Sequence, residues 1–361
     1  MQVCSIKSFF LLFWVLLTVF FSYEMVPISP LDSLPVQSDT LIHLSNSKIK
    51  GIALVAPPDS FNHPPFNEIC QLGAEWVSIV PYAFAPKGSA GLQYDVSLQW
   101  WGERPEGVHT SIRLAHEKGL KVMLKPHVYI PGGWVGHLKF DTREEWEEWE
   151  KRYSAYVLQM AEMAEEEKVE LFCFSTEFKH SILLRYRFWS RLIEQVRAVY
   201  HGKLTFSANW DYFEEIPFWA KMDVIGVSAY FPLSESRQPA KHELLASWQQ
   251  TKLRLQTLSR RYNKQILFTE YGYLSVDFTA KGHWILEPDI DAYKVNYKAQ
   301  AVALDALYES FWDEPWWAGG FLWKWYPNNL DYTGFPKDKD YTPQGKPSIQ
   351  VIKKWYKDAC N

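Results

Sequence analysis

Eight short apolar runs recur along the chain, and most of them are separated by amphipathic segments. The runs are nearly continuous rather than alternating, which is typical of parallel strands that are covered on both faces. They read GIALVA (51–56), EWVSIVPY (75–82), KVMLKPHV (121–128), ELFCFSTE (170–177), KLTFSANW (203–210), DVIGVSAY (223–230), QILFTEYG (265–272) and GGFLWKWY (319–326). This pattern predicts eight parallel strands.

The segments between the runs carry apolar residues at three- and four-residue steps, the spacing of one face of an α-helix. The clearest begins near Thr142 and includes Trp146, Trp149 and Tyr153. The others cover about 107–118, 181–199, 241–260, 292–311 and 347–357. We therefore predict an α/β fold, a single-domain (β/α)₈ TIM barrel over residues 48–357, with a doubly wound open sheet as the alternative. The weakest unit is the crossover at 211–222, which is short for a parallel connection.

The N-terminus differs from the rest of the chain. An uncharged apolar run covers residues 9–21 after Lys7. Its length falls short of the ~20 residues of a membrane span and fits a secretory signal. The FFSY sequence at 20–23 lacks a clear small-residue cleavage site, so an uncleaved membrane anchor stays open. A buried core segment is the alternative to export. We expect residues 1–30 to direct export to the periplasm, the exterior or the outward membrane face, 31–47 to form a linker, and 358–361 to form a tail.

Composition narrows the classes of function. Lys and Arg number 38 against 42 Asp and Glu, and the net charge of -4 argues against a nucleic-acid partner. Aromatic residues make up 17% of the chain, including 18 Trp, which by itself indicates only a large core. The cysteines show no paired spacing that would imply a disulfide framework; they are Cys4, Cys70, Cys173 and Cys360.

Two carboxylates stand at the ends of apolar runs. Glu177 ends the fourth run, and Glu270 follows Thr269 near the end of the seventh. Catalytic side chains of a barrel come from the carboxyl ends of its strands. One such Glu alone could be merely the first solvated loop residue, but two at matching strand ends favour catalysis. A facing pair suits glycosidic bond cleavage, in which one carboxyl is the acid and the other the nucleophile or base.

Further polar and aromatic residues at or near the run ends are candidates for substrate binding. A loop hydrogen bond or loop packing is the alternative role for each. Trp323 is better placed than the others, because an aromatic ring stacks well on the apolar C–H face of a sugar. The candidates are Lys125, His127, Trp134, Thr176, Asn209, Asp211, Tyr230, Trp323, Lys324 and Trp325, with Trp100 and Trp101 in a long loop.

Several strings resemble those of glycoside hydrolase family 113, whose characterised members are β-mannanases. They are GIALVA in the first run, KPH in the third, FSTEF at the fourth, FTEYGY at the seventh and GGFLWKWY in the eighth, and the resemblance covers roughly residues 48–357. It implies a clan A retaining glycosidase that cleaves β-1,4-mannan-type chains by double displacement. Clan A enzymes often place Asn before the acid/base to contact the substrate 2-hydroxyl; Thr176 stands there in this chain, which leaves that contact open.

The resemblance also implies roles for individual residues. Glu177 would be the general acid/base and Glu270 the nucleophile, with Tyr230 hydrogen-bonding the nucleophile and Trp323 forming the floor of the −1 subsite. Glu177 must then be protonated, which apolar surroundings and the charge of Glu270 favour, while Glu270 stays ionised. Neither a metal nor another cofactor is required.

Three alternative functions stay open. One is a metal-dependent hydrolase, although the ten His residues form no HxH or HExxH motif. Another is a non-catalytic carbohydrate-binding barrel, and the third is a retaining glycosidase for another β-glycan such as glucan or glucomannan. We expect a monomer whose partner is a polysaccharide or oligosaccharide, with possible membrane association through the N-terminal segment.

Overall fold

The structure is a computed structural model that describes residues 47–327 and 338–357. These residues fall within one compact unit, Thr40–Asn361. The predictions made for residues 1–46 and for the tail at 358–361 lie outside the described residues. No helix within the described ranges has both the length and the apolar character that a membrane span requires.

Eight parallel strands close into a barrel, which confirms the predicted fold. The strands of the described residues, numbered in chain order, are β1 Ile49–Leu54, β2 Trp76–Ile79, β3 Tyr82–Phe84, β4 Lys121–Leu124, β5 His127–Tyr129, β6 Leu171–Thr176, β7 Lys203–Asn209, β8 Ile225–Ser228, β9 Ile266–Tyr271 and β10 Trp317–Trp325. The barrel order is β1-β2-β4-β6-β7-β8-β9-β10, with β10 pairing back onto β1. The short strands β3 and β5 pair with each other beyond the carboxyl ends of β2 and β4.

Helices cover most of the crossovers. The α-helices of the described residues are α1 Phe66–Gln71, α2 Pro105–Glu117, α3 Arg143–Glu166, α4 Lys179–Leu184, α5 Tyr186–Val199, α6 Lys241–Tyr262, α7 His283–Leu286, α8 Tyr297–Phe311 and α9 Ser348–Lys357. The predicted helix at 181–199 is split at Arg185. The short crossover at 211–222 holds only two 3₁₀-helices, Phe213–Glu215 and Trp219–Lys221. The segment predicted from residue 292 becomes α-helical only at Tyr297, where Asn296 caps it.

Helix α3 is attached to the barrel through buried aromatic residues. Thr142 caps its N-terminus in a capping box with Glu145, which satisfies backbone N–H groups that lack helical partners. Trp149 and Tyr153 lie one turn apart on the buried face, with their rings stacked at 5.6 Å. The Tyr153 hydroxyl donates to Ser175 Oγ at 2.8 Å. The helix is thus bonded to β6 two residues before Glu177.

The core has two parts because side chains alternate across each strand. Phe172 and Phe174 on β6 belong to the large cluster between strands and helices. Leu171 and Cys173 belong to a smaller cluster with residues of other barrel strands, which corresponds to the barrel interior. Cys173 is a free thiol, as is Cys70. Burial on both faces explains why the strands read as continuous apolar runs.

Candidate active site

Glu177 follows the last residue of β6 and leaves the strand in an unusual backbone conformation. Its N–H donates to the Ser207 carbonyl at 2.8 Å, which extends the pairing between β6 and β7 by one residue. Its φ is then +60°, a left-handed value that costs a non-glycine residue about 1 kcal/mol. Its carboxylate Oε2 accepts a hydrogen bond of 2.7 Å from Trp134 Nε1. The backbone of Glu177 is therefore bonded to β7, and its carboxylate is bonded to Trp134.

The surroundings of Glu177 favour its protonated form. Burial and then the negative charge of Glu270 raise the pKa of Glu177 to about 7, although hydrogen bonds from Trp134 and Ser228 oppose the shift. A carboxyl group with that pKa is partly protonated at neutral pH. It can donate a proton in one step of a reaction and accept one in the next.

Glu270 is the second-last residue of β9 and only 5% of it is exposed. Three side chains contact its carboxylate. The buried Lys125 ammonium forms an ion pair with Oε1. His127 Nε2 lies 3.1 Å from Oε1, and the Tyr230 hydroxyl donates to Oε2 at 2.8 Å. Because an ionised carboxylate only accepts hydrogen bonds, we infer that the His127 tautomer carries its proton on Nε2.

These contacts keep Glu270 ionised. Burial by itself raises the pKa of Glu270, but the charge of Lys125 and the hydrogen bonds from His127 and Lys125 outweigh burial, and the net pKa is well below its usual range. Burial and then Lys125 lower the pKa of His127, which favours the neutral ring. Burial and then the charge of Glu270 raise the pKa of Tyr230 well above its usual value, so its hydroxyl remains a donor.

Several predicted substrate-binding residues contact the two carboxylates. Lys125 and His127 bond Glu270, and Trp134 bonds Glu177. Lys125 follows β4, His127 begins β5, and the ring of His127 packs beside Tyr82 of β3 at 5.0 Å. The small β3–β5 sheet thus helps to place His127 beside Glu270.

Other predicted residues make no hydrogen bond to either carboxylate among the described contacts. Trp323 of β10 is partly buried, and its ring centre lies 5.9 Å from Lys125 Nζ. Thr176 is buried, and its hydroxyl has no hydrogen-bond partner among the described residues. Trp325 is buried in the strand–helix core and Trp101 is also buried, which fits packing, whereas Trp100 is partly buried.

Three further candidates are engaged with neighbouring side chains. Asn209 Nδ2 donates to Asp211 Oδ1 at 3.0 Å, and Asp211 pairs with Lys179 Nζ at 2.7 Å. Lys324 Nζ lies 3.5 Å from the buried Asp340. The structure holds all three in polar contacts within the protein, and their roles in binding stay predictions.

The sequence pattern missed a group of hydroxyls and a histidine. Ser207 Oγ bonds Ser228 Oγ at 2.9 Å and Thr269 Oγ1 at 2.5 Å, which links β7, β8 and β9 beside the carboxylates. Each follows apolar or small residues near the end of its run, a signal that strand-end reading could have used. The ring of His283 lies 4.5 Å from Tyr230, but His283 belongs to a long loop with no pattern that points there.

The site therefore pairs one carboxyl that is easily protonated with one that stays ionised. Two titratable groups whose environments push their pKa values apart are the mark of an acid and its partner base or nucleophile. Among the described residues, no group of three or more His, Cys, Asp and Glu side chains is arranged to hold a metal ion.

The sequence and the fold are similar to those of known proteins. The model of Glycoside Hydrolase Family 113 matches residues 63–346. The GH113 β-mannanase AaManA from Alicyclobacillus acidocaldarius has 23% sequence identity and a TM-score of 0.72, over 88% of this chain and 99% of that one. A GH113 β-1,4-mannanase has 26% identity and a TM-score of 0.71, over 86% and 99%.

More distant structures share the fold. A β-glucuronidase from Ruminococcus gnavus has 12% identity and a TM-score of 0.58, over 86% of this chain and 50% of that one. A search of curated proteins finds no match to the sequence.

Proposed function

Because this chain belongs to glycoside hydrolase family 113 and is therefore a glycoside hydrolase, we propose that it cleaves β-1,4-linked mannose chains with retention of configuration. The observation that carries the proposal is the opposite electrostatic setting of the two carboxylates. The pKa of Glu177 is raised to about 7, and that of Glu270 is held well below its usual range. Two of the similar solved structures are of GH113 β-1,4-mannanases, which supports the choice of substrate.

In the first step, protonated Glu177 gives its proton to the glycosidic oxygen while Glu270 attacks the anomeric carbon. The bond to the leaving sugar breaks, and a glycosyl ester forms on Glu270. Glu270 is suited to attack because Lys125, His127 and Tyr230 orient a carboxylate that is already ionised. As negative charge leaves Glu270, the three donors lose much of their attraction for it, so they stabilise the ground state and serve mainly to position the nucleophile.

In the second step, Glu177 acts as the base. The charge of Glu270 disappears in the ester, which removes one of the two causes that raise the pKa of Glu177. Glu177, which gave its proton to the leaving sugar in the first step, therefore stays ionised until it takes a proton from an incoming water. That water attacks the anomeric carbon, and Glu270 leaves as a carboxylate, so the product keeps the configuration of the substrate.

Two residues are suited to contact the sugar whose bond is cleaved. The indole of Trp323 can lie against the C–H face of that sugar. Thr176 directly precedes Glu177, and its unpartnered hydroxyl is available for the axial 2-hydroxyl of mannose. A buried hydroxyl without a partner is costly, and a hydrogen bond to substrate would remove that cost.

Substrate and stereochemistry are tested with the purified protein. Mannan, glucomannan, cellulose, xylan and manno-oligosaccharides are incubated separately, and product lengths are followed over time. We expect hydrolysis of mannan and manno-oligosaccharides, with the β-anomer appearing first in proton NMR. Preferred hydrolysis of cellulose would contradict the substrate, and an α-anomer as the first product would contradict retention.

The nucleophile is tested by replacing Glu270→Ala. Turnover should be lost, and azide should partly restore activity on an activated aryl β-mannoside by forming the α-mannosyl azide. Glu194→Ala, an exposed carboxylate on α5, is the matched control and should retain activity. Near-normal hydrolysis by Glu270→Ala would contradict the assignment.

We also propose that residues 1–30 direct export. The support is the uncharged run at residues 9–21, whose length fits a secretory signal. Cell fractionation with N-terminal sequencing tests this proposal. We expect the full chain in an exported or membrane-attached fraction. We expect a variant that lacks residues 1–30 to stay in the cytosol. Recovery of the full chain in the cytosol would contradict it.

A further inference from the structure

Two tryptophans form a stacked pair beyond the carboxyl ends of the barrel strands. Trp210 directly follows β7, and Trp284 lies on α7 in the loop after β9. Their ring centres are 5.0 Å apart, and their planes differ by 16°. The pair contacts neither carboxylate in the described hydrogen-bond network, so the mechanism above does not account for it.

Both rings of the pair are held in place. Gly282 has a φ of +127°, and a Cβ at that position would lie 2.7 Å from the Trp284 ring, so the indole lies directly over the glycine. Trp210 packs on Phe231, and Phe231 packs edge-on against the fully buried Trp248. The pair is therefore connected to the core of the barrel through Trp210 and Phe231.

Trp284 is nevertheless open to solvent, with 41% of its surface exposed. Ile285 beside it is 39% exposed. An exposed tryptophan on a rigid support gives up the hydrophobic stabilisation that burial of its ring would provide. Such residues mark binding sites more often than the isolated aliphatic side chains that are scattered over every surface.

A chain of aromatic contacts connects the pair with the nucleophile. Trp284 meets His283 edge-on at 5.4 Å, His283 lies 4.5 Å from Tyr230, and the Tyr230 hydroxyl bonds Glu270. The exposed indole thus lies on the same face of the barrel as the candidate catalytic carboxylates and is continuous with them. A polymer whose cleaved bond is at Glu270 extends away from it across this face.

We propose that Trp284, supported by Trp210, is a stacking platform for a sugar of the bound glycan that lies beyond the cleavage position. This rests on the proposed function and adds a distal binding position to it. The ligand is a pyranose of a β-linked chain, because the apolar C–H face of such a ring matches an exposed indole. The support by Trp210 and Gly282 orients the indole before substrate binds, which lowers the entropic cost of binding.

The test compares long and short substrates of Trp284 variants. Values of kcat/KM are measured for mannohexaose and for an activated aryl β-mannoside, whose single sugar does not reach the platform. In Trp284→Ala, kcat/KM for mannohexaose divided by kcat/KM for the aryl β-mannoside should fall about tenfold. This factor corresponds to about 1.4 kcal/mol of lost transition-state binding. Leu253→Ala on α6, where Leu253 is 65% exposed, is the control and should keep the wild-type ratio.

A second pair of variants separates stacking from packing. Trp284→Phe keeps an aromatic face, so its ratio of kcat/KM values should stay close to that of the wild type. Trp284→Leu keeps bulk without a ring, so its ratio should fall as in Trp284→Ala. This comparison also serves if Trp284→Ala folds poorly. Equal ratios in Trp284→Phe and Trp284→Leu, or a wild-type ratio in Trp284→Leu, overturn the platform.

Failure of the proposed function gives a different result. If the wild-type enzyme hydrolyses another β-glycan, the same ratio is measured with that series of oligosaccharides, and the platform stands or falls on it. If the wild-type enzyme hydrolyses no oligosaccharide, the proposed function fails and the platform fails with it.

Discussion

The indole of Trp134 donates its hydrogen to Oε2 of Glu177 across 2.7 Å. An indole N–H can only donate, so Oε2 accepts in both protonation states of Glu177. This bond favours placement of the Glu177 proton on Oε1, the other carboxyl oxygen. Gly136 helps to hold the indole, because a Cβ at that position would lie 2.3 Å from the ring. Trp134 is thus placed to position Glu177, the proposed acid/base.

Trp134→Phe removes this donor while it keeps an aromatic ring. The hydrogen bond lowers the pKa of Glu177, so its loss should raise that pKa. The alkaline limb of kcat/KM should move upward by about one pH unit, since a hydrogen bond to a charged group is worth about 1.5–3 kcal/mol and one pH unit corresponds to about 1.4. Trp146→Phe, which loses a bond to the Phe140 carbonyl, is the control. If kcat/KM falls while its alkaline limb does not move, Trp134 has only a structural role.

The wild-type enzyme should show a broad plateau of kcat/KM that ends near neutrality. The free enzyme needs protonated Glu177, so activity should fall as pH rises through about 7. It also needs ionised Glu270, whose lowered pKa places the acid limb well below the usual range of a glutamate. A kcat/KM profile over the range in which the protein stays folded checks both limbs. Activity that increases as pH rises through 7 would contradict the acid role.

Glu177→Ala should affect substrates according to their leaving groups. A sugar leaving group needs the proton, whereas an activated phenolate leaves without one. We expect the loss of kcat on manno-oligosaccharides to exceed the loss of the glycosylation rate on a dinitrophenyl mannoside by at least about a hundredfold. Pre-steady-state bursts with the activated substrate separate the two steps. Equal losses on both substrates would contradict the assignment.

Lys125→Met removes the positive charge that counteracts the effect of burial on the pKa of Glu270. The pKa of Glu270 should then rise, and the acid limb of kcat/KM should move upward. Leaving Glu270 buried without its partner should also destabilise the fold by about 3–5 kcal/mol at neutral pH. This loss should shrink as pH falls through the raised pKa and Glu270 becomes neutral. Denaturant melts at neutral and acidic pH measure it, with the exposed Lys354→Met as the control.

Gly319→Ala should weaken the closure of the barrel. Gly319 has a φ of +103°, and a Cβ there would lie 2.3 Å from the carbonyl oxygen of Ile49, its partner on β1. Gly88→Ala is the matched control, with a φ of +72° and nothing within 4 Å of the added carbon. We expect Gly88→Ala to cost about 1 kcal/mol and Gly319→Ala at least about 2 kcal/mol more. Equal midpoints in denaturant melts would contradict this account.

The sequence determined the number, order and type of the barrel strands. Strands that are buried on both faces must be apolar on both faces. Each therefore appears as a continuous apolar run, whichever strands it pairs with. Strand-end position likewise identified Glu177 and Glu270 as the candidate pair. The pattern was weaker where connections are irregular, as at Arg185, where one amphipathic stretch folds as two helices.

Only the tertiary structure decided what each polar residue contacts. Lys125 and His127 were predicted only as candidate substrate ligands, and the structure shows that they also bond Glu270, from 145 and 143 residues away in sequence. Trp134 reaches Glu177, and Trp284 reaches Trp210, through loops that carry no periodic pattern. Burial along a strand is a local property that hydrophobic spacing records. Contacts between strand ends depend on how the closed barrel brings distant segments together, which spacing along the chain does not record.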